Sequence, residues 1–205
     1  MNDIILYLNE LFPDAKCELN YHKDYELLIA VMLSAQTTDK RVNKVTEVLF
    51  NKYDSLEKLS NANLNDIENI VKELGNYTKK SKAIIDISKS LLDNYNGVVP
   101  NKRSYLESLP MVGRKTTNVV LSNLYNVPNI AVDTHVARVS KRLGLAKEKD
   151  DVVAIERKLK RYFPKEYWIR LHHQLVLFGR YKCKAVKPDC TNCKLKDKCL
   201  YKKEK

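Results

Sequence analysis

Apolar residues recur three and four positions apart along almost the whole chain, and that period belongs to helices packed on one face. Ile5, Leu8, Leu11 and Phe12 form one stripe, and Val42, Val45 and Leu49 another. Ile67, Ile70, Val71 and Leu74 follow i, i+3, i+4, i+7, with Gly75 placed as a C′ stop. Ile84, Ile87, Leu91 and Tyr95 run up to Gly97, and Val136, Val139 and Leu143 run up to Gly144. Val152, Ile155, Leu159 and Tyr162 precede Pro164, and Trp168, Leu171, Leu175 and Phe178 precede Gly179. The stretch 27–33 is apolar on all sides, which suits a helix buried at a domain centre. No segment alternates with the period of a strand. The predicted fold class is all-α, built from many short helices, without internal repeats or an evident linker.

The chain has 205 residues, 44% of them hydrophobic, so a substantial core can form. With 5 Gly and 6 Pro it does not read as disordered. No apolar run is long enough to span a bilayer. The opening Met-Asn-Asp-Ile-Ile-Leu lacks the basic start of a signal peptide, so a cytoplasmic protein is expected. Lys and Arg number 37 against 25 Asp and Glu, a formal charge of +12. Such an excess points to a polyanionic partner, nucleic acid first and an acidic membrane surface second. A general preference for lysine would give the same count.

Four of the five cysteines fall at the end of the chain, in the pattern Cys183-x6-Cys190-x2-Cys193-x5-Cys199. In an intracellular protein such clustering indicates metal rather than disulfides. By chemistry alone, four thiolates suit either zinc or a [4Fe–4S] cluster. Cys17 stands apart and reads as an unreactive buried thiol.

Residues 104–121 read as helix, tight turn, helix. Pro110 pushes Leu109 out of the α region and so ends the first helix. Gly113 supplies the unusual backbone angle, or the close approach, that the turn needs. The second helix starts near Arg114, and its N-terminal amides form a phosphate-binding end.

At this point the chain resembles a known family. Leu109-Pro110-x-Val112-Gly113-Arg114-Lys115-Thr116 is similar to the helix–hairpin–helix of the endonuclease III DNA glycosylases (here about 104–123). Val132-Asp133-Thr134-His135-Val136-x-Arg138 resembles the segment that follows it in that family. Ser34-Ala35-Gln36-Thr37-Thr38-Asp39 and the cysteine spacing match as well, so the resemblance covers almost the whole chain.

The resemblance implies two lobes: a six-helix lobe over 18–127, and a second over 1–17 and 128–205 carrying a [4Fe–4S] cluster on the four cysteines. It implies a monomer acting on double-stranded DNA with damaged bases or abasic sites, without a membrane partner. Lys115 becomes the nucleophile that attacks the sugar C1′, displaces the damaged base and, through a Schiff base, permits β-elimination. That role needs a neutral amine, and burial, Arg114 and a helix N-terminus all favour one. Asp133 becomes the carboxylate that stabilises positive charge on the sugar; as a residue before Thr-His-Val it also suits an N-cap. Gln36 resembles the side chain that fills the space of a flipped nucleotide, and Asn76 stands where the family often has a second, apolar wedge. Val112, Gly113, Arg114 and Thr116 become hairpin contacts to DNA, and Lys184 and Lys187 contacts to phosphate. Asp39 lines the pocket or caps a helix. His135 is a weaker pocket residue that reads as structural, as do His172 and His173.

The family often has glycine where this chain has Met111. The expectation is that residue 111 adopts a conformation open to any L-residue. Two rival readings stand beside the bifunctional glycosylase/lyase: a monofunctional mismatch or adenine glycosylase, and a non-enzymatic DNA-binding iron–sulfur protein. Lys115 argues against the first. The pairing of Lys115 with Asp133 in sequence argues against the second.

Overall fold

Each amphipathic stripe becomes a helix in the computed structural model, which describes residues 2–201. Among those residues there are α-helices, short 3₁₀ and π turns, and no strand. The chain folds into two compact units, one of Glu18–Tyr125 and another formed by the described parts of Met1–Cys17 and Asn126–Lys205. No helix among the described residues is long and apolar enough to cross a membrane.

In the first of these units, α2 (Asp24–Leu33) is the central helix. Leu27 through Leu33 are all at most 2% exposed, as their all-round apolarity predicts. Glu26 fixes its start by accepting from the His22 and Lys23 amides at 2.7 and 3.2 Å. Around it lie α3 (Asp39–Lys52), α4 (Leu56–Ser60), α5 (Leu64–Val71), α6 (Tyr77–Tyr95), α7 (Arg103–Leu106) and α8 (Arg114–Tyr125). Helix α2 packs on α3, α6 and α8, and α6 packs on α4 and α5. The α6 helix ends on two left-handed residues, Asn96 at φ 49° and Gly97 at φ 80°, and the Gly97 amide reaches back to Leu91 O at 3.0 Å.

In the second unit, α1 (Asn2–Leu11) presents Ile4, Tyr7 and Leu8 to a core shared with α9 (Thr134–Arg142), α10 (Val152–Tyr162) and α11 (Trp168–Leu177). Tyr7 meets Phe178 edge-on, with ring centroids 6.2 Å apart. Helix α11 does not stop at Gly179. It widens into a π turn over Phe178–Lys182 that delivers Cys183.

Two boundaries and one buried stripe differ from the periodicity. Helix α5 stops at Val71, and Gly75 lies in the following turn without a positive φ; Asn76 takes the left-handed angle instead, at φ 57°. Helix α7 ends at Leu106, short of Pro110, as Ser108 turns its hydroxyl onto Tyr105 O at 2.7 Å. In α10, Ile155 and Leu159 are buried, but Val152 is 53% and Tyr162 48% exposed. Phe163, at 2% exposed, completes that stripe instead of Tyr162.

Candidate functional site

The hairpin between α7 and α8 is anchored from below. Leu109 and Val112 are buried, and the Val112 amide closes the turn on Leu109 O at 3.2 Å. Arg103 bridges the two helices, donating to Asn118 Oδ1 at 2.6 Å and to Glu107 Oε1 at 2.7 Å. Gly113 and Arg114 are exposed, Lys115 is half-buried and Thr116 is buried. Lys115 therefore occupies the first turn of α8, at the positive end of the helix dipole.

One expectation for this turn is corrected, and another is narrowed to one of its two alternatives. Residue 111 does not take a conformation open to any L-residue: Met111 sits in the left-handed region at φ 60°, with its side chain exposed. Gly113 has no positive φ, and an added Cβ would meet nothing within 4 Å. The chain reverses at 111 because Pro110 has a fixed φ and Leu109 and Val112 must both point into the core. The unusual angle falls on the residue between them. Open space beside Gly113 leaves its backbone approachable, which is the second of the two uses foreseen for it.

Asp133 is the N-cap of α9; its Oδ1 accepts from the Val136 amide at 2.8 Å. That bond fixes the direction of a half-buried carboxylate. One turn on, Arg138 donates to Gly179 O at 2.7 Å and to Cys183 O at 3.2 Å, and contacts His135 Nδ1 at 3.2 Å. A guanidinium can only donate, so His135 Nδ1 is the acceptor and the ring's proton sits on Nε2. His135 is thereby tied into the packing of α9 on the π turn. Burial, and then the charge of Arg142, hold the Arg138 guanidinium below its ordinary range.

Gln36 lies in the turn after α2, exposed and left-handed at φ 58°. Asn76 is exposed just ahead of α6. Asp39 is the first residue of α3 and Thr38 is its N-cap, so Asp39 does not cap the helix but complements its dipole. Lys184 and Lys187 are exposed in the cysteine loop, with Lys187 at φ 50°. His172 and His173 are buried in α11, as the helical stripe predicts.

The cysteine loop is held at several points. Arg142 donates to Cys183 Sγ at 3.3 Å, Lys184 O at 2.7 Å and Ala185 O at 3.2 Å, and its guanidinium lies 3.9 Å from the Tyr201 ring centroid. Tyr7 donates to Asn192 O at 3.1 Å, Lys194 pairs with Glu10 at 2.6 Å, and Lys198 pairs with Asp3. The Cys199 thiol is pushed up from its ordinary range, first by burial and then by the sulfurs of Cys183, Cys193 and Cys190. The four sulfurs thus share one neighbourhood. Among the described residues, though, no three His, Cys, Asp or Glu side chains are grouped as one metal ion would require. Sequence reasoning did not single out Arg142 or Tyr201. At position 142 it could register only a basic residue in the last turn of a helix, which is ordinarily a solvated charge.

A hairpin whose second helix begins Arg-Lys-Thr, in an all-helical frame, is the architecture of helix–hairpin–helix repair proteins, and residues 29–165 match the model of the HhH-GPD superfamily base excision DNA repair proteins. Endonuclease III of Bacillus subtilis is 48% identical over 192 residues, 94% of this chain and 88% of that protein. Endonuclease III of Escherichia coli is 42% identical over 98% of this chain and 95% of its own. A solved structure of a trapped endonuclease III–DNA covalent intermediate superposes with a TM-score of 0.92 at 46% identity, covering 98% of this chain and 96% of that one. The chain therefore belongs to the HhH-GPD superfamily and, within it, to the endonuclease III family. A thermostable thymine-DNA glycosylase shares the fold at 21% identity, with a TM-score of 0.85.

Proposed function

We propose that the protein is a bifunctional base-excision enzyme, a DNA glycosylase and abasic-site lyase acting as a monomer on chromosomal DNA in the cytoplasm. Its substrates are oxidised or ring-saturated pyrimidines and abasic sites in duplex DNA. The observation that carries this reading is a lysine in the first turn of the hairpin's second helix, in a chain 46% identical to an endonuclease III solved as a covalent DNA intermediate.

The Lys115 amine, when neutral, attacks C1′ of the damaged nucleotide; the C1′–N bond breaks and the base leaves, taking a proton. The sugar ring opens to a protonated Schiff base on Lys115 Nζ. Loss of a C2′ proton then expels the 3′ phosphate, which cuts the strand. Asp133 stabilises the positive charge that develops at C1′ and assists the proton transfers. Its cap on α9 holds the carboxylate in one orientation, so little reorganisation is needed when that charge appears. Gln36 and Asn76 occupy the space of the extruded nucleotide, Asp39 lines the pocket with a minor part for His135, and Val112, Gly113, Arg114 and Thr116 hold the phosphate backbone. Lys184 and Lys187 add sequence-independent phosphate contacts.

Cys183, Cys190, Cys193 and Cys199 fit a [4Fe–4S] cluster. Four thiolates are the ligand set such a cluster takes, and Arg142 offers an N–H to the Cys183 sulfur at 3.3 Å. When bound, the cluster supplies a rigid crosslink for a loop with few core-forming residues.

Borohydride trapping tests the reading. The protein incubated with a duplex carrying one oxidised pyrimidine should form a stable adduct. Lys115→Gln should bind the duplex yet form none, and Asp133→Asn should slow base release by at least about a hundredfold, the low end of what a positioned acid–base group contributes. An adduct at wild-type yield from the Lys115 variant would sink the assignment.

A further inference from the structure

Lys80 is among the largest fully buried side chains, at 1% exposed, and it lies on α6. Its ammonium donates to Ala35 O at 2.9 Å and to Thr37 Oγ1 at 3.4 Å. No carboxylate lies within ion-pairing distance of it among the described residues, and burial alone pulls the amine down from its ordinary range. A buried lysine without a counter-ion costs stability, and an apolar residue of similar length could replace it at little or no cost. Its place is explained by what it touches. Ala35 and Thr37 flank Gln36, in the turn that leaves the C-terminus of α2, where outward carbonyls and the negative end of the dipole attract a cation. The Lys80 amide also donates to Asn76 O at 3.0 Å, one turn back along α6. One residue thus bonds to both of the segments that carry Gln36 and Asn76, each a non-glycine residue in the left-handed region. Such angles persist only where the surroundings over-determine them.

We propose that Lys80 is a positioning residue: its ammonium locks the 34–38 turn onto the start of α6, so that Gln36 and Asn76 are presented to DNA as one preformed wedge. This rests on the reading of those two side chains as occupants of the space left by a flipped nucleotide. Preforming the wedge removes the ordering cost of binding and so raises affinity for duplex DNA without a new contact. A neutral donor would make weaker bonds than an ammonium does.

The test compares Lys80→Met with wild type and with Gln36→Ala in the iron-loaded full chain. The probes are an abasic-site duplex and the same abasic strand alone. Lys80→Met should melt no lower than wild type, while amide hydrogen exchange in 34–38 accelerates. The ratio of duplex to single-strand affinity should fall about tenfold, or about 1.4 kcal/mol. Lys80→Gln, too short to reach both acceptors, should shift exchange and affinity the same way by a smaller factor, and it stands in if the methionine variant does not fold. Wild-type exchange in 34–38 would overturn the proposal. So would faster exchange with an unchanged affinity ratio while Gln36→Ala lowers that ratio. Wild-type affinity in Gln36→Ala would instead overturn the wedge reading beneath it.

Discussion

Gly179 faces His135 so closely that a Cβ added to the glycine would stand 2.8 Å from the His135 Cβ, with Val139 Cγ2 at 3.2 Å and Arg138 Nη2 at 3.3 Å. The absence of a side chain at 179 lets the π turn lie against α9, where Arg138 reaches Gly179 O and Cys183 O. Gly179→Ala must push these segments apart. Overpacking of this kind costs about 1–3 kcal/mol. In a chain of this length that should lower the melting temperature by several degrees, at roughly 2–4 °C per kcal/mol. A melting curve that superposes on wild type would show that the contact yields freely.

Met111 pays for a left-handed backbone that glycine or asparagine tolerates better. Met111→Gly should therefore raise stability by up to about 1 kcal/mol, less whatever glycine gains in unfolded-chain entropy. Met111→Asn should gain without that offset, and Met111→Val should lose. Urea unfolding of the three variants ranks them, and a stable valine variant would contradict the strain. Affinity for an abasic-site duplex should change less than tenfold on Met111→Gly, or about 1.4 kcal/mol. Gly113→Ala behaves oppositely: it meets nothing within 4 Å in the free protein, so stability holds and any loss appears in DNA binding alone.

Arg142 makes three hydrogen bonds to the loop at Cys183–Ala185 and a cation–π contact to Tyr201, while its own carbonyl accepts from the Leu200 amide at 2.7 Å. It clasps the segments next to the first and last cysteines. Arg142→Met should reduce bound iron below the roughly four per chain of a cubane cluster and quicken its loss on standing. Arg142→Lys should recover little, because a single ammonium cannot reproduce the planar fork. Iron and sulfide analysis decides it; full occupancy in the methionine variant would remove Arg142 from the cluster's support.

His173 is buried in α11, and burial lowers its pKa from 6.5 to about 4. The folded protein keeps this imidazole neutral, whereas the unfolded chain takes up a proton below pH 6.5. Stability from this group is therefore complete above about pH 6.5, declines as pH falls, and is gone near pH 4. The decline amounts to at most about 3–4 kcal/mol, at 1.36 kcal/mol per pH unit. His173→Gln should be less stable at pH 7.5 yet lose less on going to pH 5. Parallel stability–pH curves for the two proteins would show that His173 titrates normally.

Much of this protein is local in origin. The period of three and four along the chain determined which faces of α3, α6, α9 and α11 are buried, because residues on one helical stripe must leave water together. Chain order alone put Lys115 at a helix start and Asp133 at an N-cap, since both depend on a few neighbouring residues. The cysteine spacing was equally plain. Tertiary structure decided what depends on distant partners. Lys80 is buried through a bond to a turn 45 residues away, a contact that its neighbours in sequence do not announce. The left-handed angle fell on Met111 rather than Gly113 because Leu109 and Val112 both had to enter the core, a demand set by the helices beneath them. Arg142 became a clasp through contacts more than 40 residues along the chain. Helix propensity and capping act over one or two turns, but the burial of a charge or the placing of strain is settled only when the whole unit packs.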